Sequence, residues 1–267
     1  LNEWGGVIET INIDDLIAHI SPVTYFCDSS HLDLPEEQHI EIKFDLEPSA
    51  KNIYKEMEEH LVAEIADGRV TAANGAVKLI RLIQITGGTI VDEFSDEEKI
   101  VSRVKAENLE QLIDDIGPHE PIVVFGFFNG DMDAIRRVAQ RAARKYEEIS
   151  GRPEAKKFVY DRAYWEGNPV QFEDGRIIGV QTRSGSLGID CTRARYGIYY
   201  STGLISPGDF EQSYRRILRP GQTKPVTFYH LLTRGTKDVT VRRAQINKQN
   251  VIDALLQKLR EKTNVTV

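Results

Sequence analysis

Apolar residues recur along this chain in two rhythms. Short alternating or continuous apolar runs are separated by longer stretches with an apolar residue every three or four positions. Ile13, Leu16, Ile17 and Ile20 predict a short helix that Pro22 stops. After Leu34-Pro35, the alternation from His39 to Phe44 predicts a strand. Ile53, Met57, Leu61 and Ile65 predict a helix from Ala50 to Ala66, ended by Gly68. A further helix is expected from Asp96 to Ile116, ended by Gly117-Pro118. The continuous apolar run Pro121 to Phe127 predicts a strand buried on both faces. Asp133 to Ile149 reads as a helix with Ile135, Val138, Ala139, Ala142, Tyr146 and Ile149 inward. Strands are expected at Lys156–Tyr160, Arg176–Thr182, Tyr196–Tyr200 and Pro225–Leu232, and a long helix at Lys237–Lys262.

This order predicts an α/β fold, a parallel sheet with helices on both faces. A mostly helical lead-in, residues 1–95, precedes a lobe of residues 96–267. Chemistry in such folds sits at the carboxyl ends of the strands. Three stretches follow predicted strand ends: Phe127-Phe128-Asn129, Thr182 to Asp190, and Ser201-Thr202-Gly203.

One helix stands out. Ser206 suits an N-cap, Pro207 the first helical position, and Asp209 completes a capping box. Phe210, Tyr214 and Ile217 recur at i, i+4, i+7 and predict a buried stripe. Gln212, Arg216 and Arg219 share that spacing on another face before Pro220-Gly221-Gln222. Two guanidiniums one turn apart suit a phosphate, because each is planar, charged and able to bond two oxygens. A solvated basic face on an amphipathic helix is the plainer explanation of the same spacing.

Net charge is −7, which by itself argues against a nucleic-acid binder. The charge is uneven, however. Acids crowd residues 28–66, whereas Arg215 to Lys248 hold nine Lys or Arg and one acid, Asp238. Cys27 and Cys191 are the two cysteines, far apart, which excludes a disulfide framework or a cysteine zinc site and suits a cytoplasmic setting. No apolar run has membrane-spanning length. There is no G-x-x-x-x-G-K-[ST] phosphate loop and no Asp-Glu-x-His magnesium motif.

Gln212-x3-Arg216-x2-Arg219-x-Gly221-Gln222 resembles motif VI of the Swi/Snf-type ATPases of helicase superfamily two. Thr182-Arg-Ser-Gly185-Ser-Leu-Gly188-Ile-Asp190-Cys-Thr192 resembles their motif V, with Asp190 where Asn is usual. Leu34-Pro35, the following strand, the helix with Tyr54, and the helix containing Val77 to Ile85 resemble the segment between the two lobes of that family. The wording is closest to phage-borne members. The resemblance implies the second RecA-like lobe of an ATP-dependent DNA helicase or translocase. On that basis Arg216 and Arg219 are the arginines that reach the γ-phosphate, and Gln212 orients them. Gly185, Gly188 and Asp190 face the nucleotide, while Thr182, Phe128 and Asn129 face DNA. ATP and Mg²⁺ are then cofactors of a two-lobed parent and are not held tightly by this lobe alone. The expected partners are the first lobe, which carries the phosphate loop, and DNA without sequence preference. A monomer with no membrane contact is expected, in a bacterial or phage-infected cytoplasm. The alternative is a non-enzymatic nucleic-acid-binding module that kept the fold.

Overall fold

The computed structural model describes residues 32–60, 62–65, 68–71, 75–92, 97–153, 155, 175–183, 190–203 and 206–247, with Asp15, Ala18 and His19 besides. The chain divides into two compact units. One is Leu34–Ala244, and the other combines Leu1–Asp33 with Gln245–Val267. The expected helix at 13–20, the strand at Lys156–Tyr160 and the helix beyond 247 fall largely outside the described residues.

Within Leu34–Ala244 the strands are β1 (Glu37–Phe44), β2 (Val62–Ile65), β3 (Gly68–Thr71), β4 (Thr89–Val91), β5 (Glu98–Ile100), β6 (Ile122–Gly126), β7 (Tyr146–Ile149), β8 (Ile177–Gln181), β9 (Tyr196–Tyr199) and β10 (Val226–Thr233). The helices are α1 (Pro48–His60), α2 (Gly75–Gly87), α3 (Val104–Ile116), α4 (Asn129–Arg141), α5 (Pro207–Tyr214) and α6, which begins at 237. Six strands form one sheet in the order β1-β10-β9-β6-β8-β7, and every pairing is parallel. This is the α/β architecture of a RecA-like lobe. β2–β3 and β4–β5 are separate antiparallel pairs.

The period-two pattern of β6 explains the layering. Ile122 and Val124 face a core shared with Leu109, Leu112 and Ile113 of α3 and with Ile135, Val138 and Ala139 of α4. Val123 and Phe125 face the other side, against Phe210 of α5, Ile217 and Leu218. All four β6 residues are fully buried, as the continuous apolar run requires. A satellite core of Tyr54, Met57, Leu82, Ile85 and Ile90 joins α1, α2 and β4. β1, from the stretch expected to be lead-in, is the edge strand of the main sheet, paired with β10 along its whole length.

Three helices are shorter than their periodicity predicts. The run expected to stay helical to Ala66 ends at His60, and Ile65 lies in β2. The helix expected from Asp96 starts at Val104, because Val101 and Ser102 donate their N–H groups to the carbonyl of Gly88 beside the β4–β5 pair. The helix expected to reach Ile149 stops at Arg141. Ala143 turns back at φ 52°, and the Arg144 side chain donates to the carbonyls of Gly117, Glu120 and Gly175. Tyr146 and Ile149 then pack on opposite sides of the sheet, which a strand allows and a helical i, i+3 pair does not.

The seam between β1 and β10 is sensitive to pH. The ring nitrogens of His39 and His230 lie 2.9 Å apart, and the rings stack at 5.3 Å. Tyr199 stacks on His230, Phe228 stacks on His39, and Arg242 lies over Phe210 with Glu41 at 3.8 Å. Burial, then the charges of Arg242 and His39, push the buried His230 well below its ordinary pKa; burial and then Arg242 bring His39 down to about 4. A folded-state pKa below the unfolded value means the unfolded chain binds more protons between the two. Stability is therefore full above pH about 6.5 and falls as pH drops from there toward 4. The melting temperature should fall between pH 7 and 5, and the fall should be smaller in His230→Gln.

Candidate nucleotide and nucleic-acid site

The candidate residues that the structure describes lie at the carboxyl ends of β6, β8 and β9, ahead of β9, and on or after α5. Ser206 caps α5 as expected: its Oγ accepts the Asp209 N–H at 3.1 Å and donates to the Asp209 carboxylate at 2.8 Å. The helix is shorter than the spacing predicted. After Tyr214 the chain tightens, with Arg216 N–H on the Ser213 carbonyl and Ile217 N–H on the Tyr214 carbonyl, both i−3 bonds. Gln212 is exposed on α5, whereas Arg216 and Arg219 project from the turns that follow it. The expected single face of three residues is thus broken after its first member. Ile217 is fully buried and Phe210 nearly so, but Tyr214 is only half-buried, with the Arg215 guanidinium over its ring at 5.3 Å.

This tightening frees the Arg216 carbonyl, which accepts the Cys191 N–H at 2.9 Å. The two stretches that resemble motifs V and VI are thereby joined. Gln222 adds a second tie. Its buried Nε2 donates to the carbonyls of Thr192 at 2.7 Å and Ala194 at 2.9 Å, and its Oε1 accepts the Lys224 N–H at 3.0 Å. Asp190 is exposed and turns its Oδ1 onto the Thr192 N–H and hydroxyl, while its Oδ2 faces Arg219 Nη1 at 3.9 Å. Gly185 and Gly188 lie outside the described residues. The Cys191 thiol is sealed below, pushed up to about 12 by burial and then by Asp190.

Arg219 lies close enough to Arg216 to disfavour its charge. Burial first, and Arg219 second, lower the pKa of Arg216. The Arg216 Nε is buried with no hydrogen-bond partner among the described residues. Two guanidiniums thus lie at short range, one of them with an unused buried donor. Among the described residues, Asp190 is the one carboxylate paired with either of them.

The ends of β6 and β9 are held by Asp131, in the first turn of α4. Its Oδ2 accepts the N–H groups of Phe127 and Phe128, each at 2.9 Å, and the Ser201 hydroxyl. The carboxylate is buried, and burial raises its pKa against those three hydrogen bonds. Gly203, at φ 54°, leaves room for the Phe127 ring, since a Cβ there would stand 2.1 Å from that ring. Phe128 is half-buried, edge-on to Phe127 at 4.9 Å. Asn129 is exposed, and its Oδ1 accepts from Gln181 Nε2 at 3.0 Å. Arg152 completes the clasp, with two bonds of 2.7 Å to Asp133 and one of 2.9 Å to the Asn129 carbonyl. Thr182 is buried, with its N–H and hydroxyl both on the Gly126 carbonyl, at 2.9 and 3.2 Å. Both donors expected to face DNA are therefore used inside the lobe.

Sequence reasoning missed Asp131, Arg152 and the bonding of Gln222, and named Ser201 only as part of a strand-end turn. Asp131 carried a signal, an acid in the first turn of a helix after a strand end. The others act through partners far away in the sequence.

The fold is that of a RecA-like α/β lobe, with its strand-end loops joined through Cys191 and Gln222. The chain resembles the C-terminal lobe of Swi/Snf-type ATPases in sequence and in fold. It is 38% identical over 92 residues to the chromatin-remodeling ATPase INO80 of Mycosarcoma maydis, covering 34% of this chain and 5% of that protein. It is 29% identical over 172 residues to INO80 of Candida glabrata, covering 62% of this chain and 11% of that protein. Protein p41 of Acyrthosiphon pisum secondary endosymbiont phage 1 is 21% identical over 249 residues, 91% of this chain and 51% of that protein. The chain thus spans about half the phage relative and a small part of the remodelling ATPases. The crystal structure of the C-terminal part of the Fun30 ATPase domain superposes with a TM-score of 0.51 at 17% identity, over 86% of this chain and 98% of that one. No protein-family model matches the chain.

Proposed function

We propose that this chain is the second motor lobe of an ATP-dependent DNA translocase or helicase. The observation that carries the reading is the pair Arg216 and Arg219, with an unpartnered buried donor on Arg216, tied by Cys191 and Gln222 to the Asp190 loop. That arrangement fits the terminal phosphate of a nucleotide held by a first lobe. Arg216 and Arg219 would take phosphate oxygens as charge develops during phosphoryl transfer. Asp190 would hold Arg219 until the phosphate replaces it. Gln212, exposed on α5, would reach this network from the adjoining turn. Phe128 and Asn129 would present an aromatic edge and an amide to a DNA backbone, and Thr182 would support them from beneath rather than touch DNA itself.

The division of labour predicts a simple outcome. The 267-residue chain alone should show no ATP hydrolysis, with or without DNA, because its sequence lacks a phosphate loop. Its DNA binding should be weak, indifferent to sequence and steeply weakened by salt. Joined to a first lobe that carries the phosphate loop and magnesium-binding acids, it should support DNA-stimulated hydrolysis. Hydrolysis by the highly purified single lobe would overturn the reading. A two-lobed protein that binds DNA but never turns over ATP would leave the non-enzymatic binding module instead.

A further inference from the structure

A second concentration of arginine lies on the opposite face of the sheet from Arg216 and Arg219. Between α3, α4 and the β4–β5 pair is a concavity of about 320 Å³. Arg103 enters it from the start of α3, and Arg137 and Arg141 enter from α4. Three of its lining residues, Gly87, Ala106 and Ala134, are small. Arg141 is committed to Glu110, at 2.8 and 2.9 Å. The guanidiniums of Arg103 and Arg137 make no hydrogen bond or ion pair among the described residues, although Arg137 offsets Glu98 and Asp133 at longer range. With Glu107 also on the wall, the lining retains one net positive charge. Arg103 is exposed and Arg137 half-buried, so the two line an open concavity of net positive charge on a chain of net charge −7.

We propose that this concavity is a second phosphate-binding site, which takes backbone phosphates of DNA through Arg103 and Arg137. The proposal rests on the motor-lobe reading for its ligand but not for its geometry. Phosphate is the chemistry that two planar, unpartnered guanidiniums fit best, because each presents paired donors to two oxygens. Position favours a nucleic-acid source. Thr89 lines the concavity and also packs on Gly130, directly after Asn129, where a Cβ would come within 2.0 Å of its hydroxyl. Arg137 lies eight residues along α4 from Asn129, about 12 Å at the helical rise. That is the axial span of about three to four base steps of a duplex. A strand that meets Phe128 and Asn129 would bring a later phosphate over this opening.

The test uses the purified 267-residue chain, a short labelled duplex DNA and inorganic tripolyphosphate as separate probes. The variant is Arg103→Gln with Arg137→Gln; a charge-matched control replaces the exposed Lys51 and Lys55 with Gln. Melting temperatures establish that both are folded. The double arginine variant should bind DNA roughly tenfold more weakly, and the slope of log affinity against log salt should fall by about two. The lysine control should change neither. Equal DNA affinity and equal slope in wild type and arginine variant would overturn the proposal. Tripolyphosphate bound through Arg103 and Arg137, with DNA unaffected, would overturn the DNA assignment and leave a site for free polyphosphate. If the wild type binds no DNA, the motor-lobe reading fails, and tripolyphosphate alone decides the concavity: binding lost in the variant upholds a phosphate site, and no binding ends it.

Discussion

Arg219→Ala in a two-lobed protein should reduce ATP turnover by roughly 10³-fold or more while leaving the melting temperature nearly unchanged. The two effects separate because of where Arg219 stands. Its side chain is 41% exposed, and its ion pair with Asp190 spans 3.9 Å between exposed groups. Pairs of that kind add little to stability. Phosphoryl-transfer chemistry, by contrast, depends on a cation delivered to the transferring group, and no neighbour replaces it. Arg216→Ala should lose turnover similarly, and it should cost slightly more stability because its Nε is buried. Ile217→Ala is the opposite control. Ile217 is fully buried between α5 and the sheet, so truncation should cost about 2–5 kcal/mol and lower activity only in proportion to unfolding. Melting curves and DNA-stimulated ATPase, measured side by side, decide the matter. An early-melting Arg219→Ala, or one with wild-type turnover, would make the arginine pair structural or merely solvated.

Lys105→Ala should be the most damaging single change to the fold, at about 3–5 kcal/mol. Lys105 is 1% exposed and donates to Asp238 Oδ2 at 2.7 Å. Asp238 also accepts the Thr86 hydroxyl at 2.6 Å and the Thr233 N–H at 3.2 Å. The carboxylate thus ties the end of α2, the start of α3, the end of β10 and the start of α6. Tyr200 closes the cluster, with Lys105 5.8 Å from its ring centre and its hydroxyl on the Gly87 carbonyl at 2.7 Å. Removing the ammonium leaves a buried, uncompensated carboxylate, which costs far more than the pair contributes while intact. Removing Asp238 as well should recover only part of the loss, since the Thr233 N–H then has no acceptor. Chemical denaturation of the two single variants and the double gives the coupling directly. Additive losses would mean that the pair is independent and the cluster no more than packing.

Much of this protein can be read without coordinates, and the reason is periodicity. The apolar run of β6, the alternation of β1, and the Ser206 N-cap of α5 each act within a few residues. Each is present where expected. The placement of candidate residues at strand ends also follows from chain order, because parallel strands joined by crossovers bring their carboxyl ends to one edge. What the pattern could not distinguish was a helix from a turn and a strand with similar spacing. From Ile135 to Ile149 one helical stripe fits every apolar residue, yet Ala143 turns the chain back at φ 52° and the Arg144 side chain bonds the distant carbonyls of Gly117, Glu120 and Gly175. The face of Gln212, Arg216 and Arg219 was over-extended for a related reason. The Arg216 carbonyl finds Cys191, 25 residues earlier, and the helix yields to that bond.

The buried polar network belongs to the tertiary structure alone. Lys105 and Asp238 are 133 residues apart, Ser201 and Asp131 are 70 apart, and Gln222 and Thr192 are 30 apart. A charged residue in sequence looks the same whether water or another side chain will satisfy it. Lys105 therefore reads as an ordinary surface lysine until the fold brings Asp238 to it. Thr182 reads as an outward donor until the Gly126 carbonyl takes both its hydrogens. The sequence by itself determined the layers of the lobe and the edge where the candidate residues lie, because burial of apolar surface follows local period. Which polar groups stay free to bind a ligand, and which are spent holding the edge together, was decided only when distant partners met.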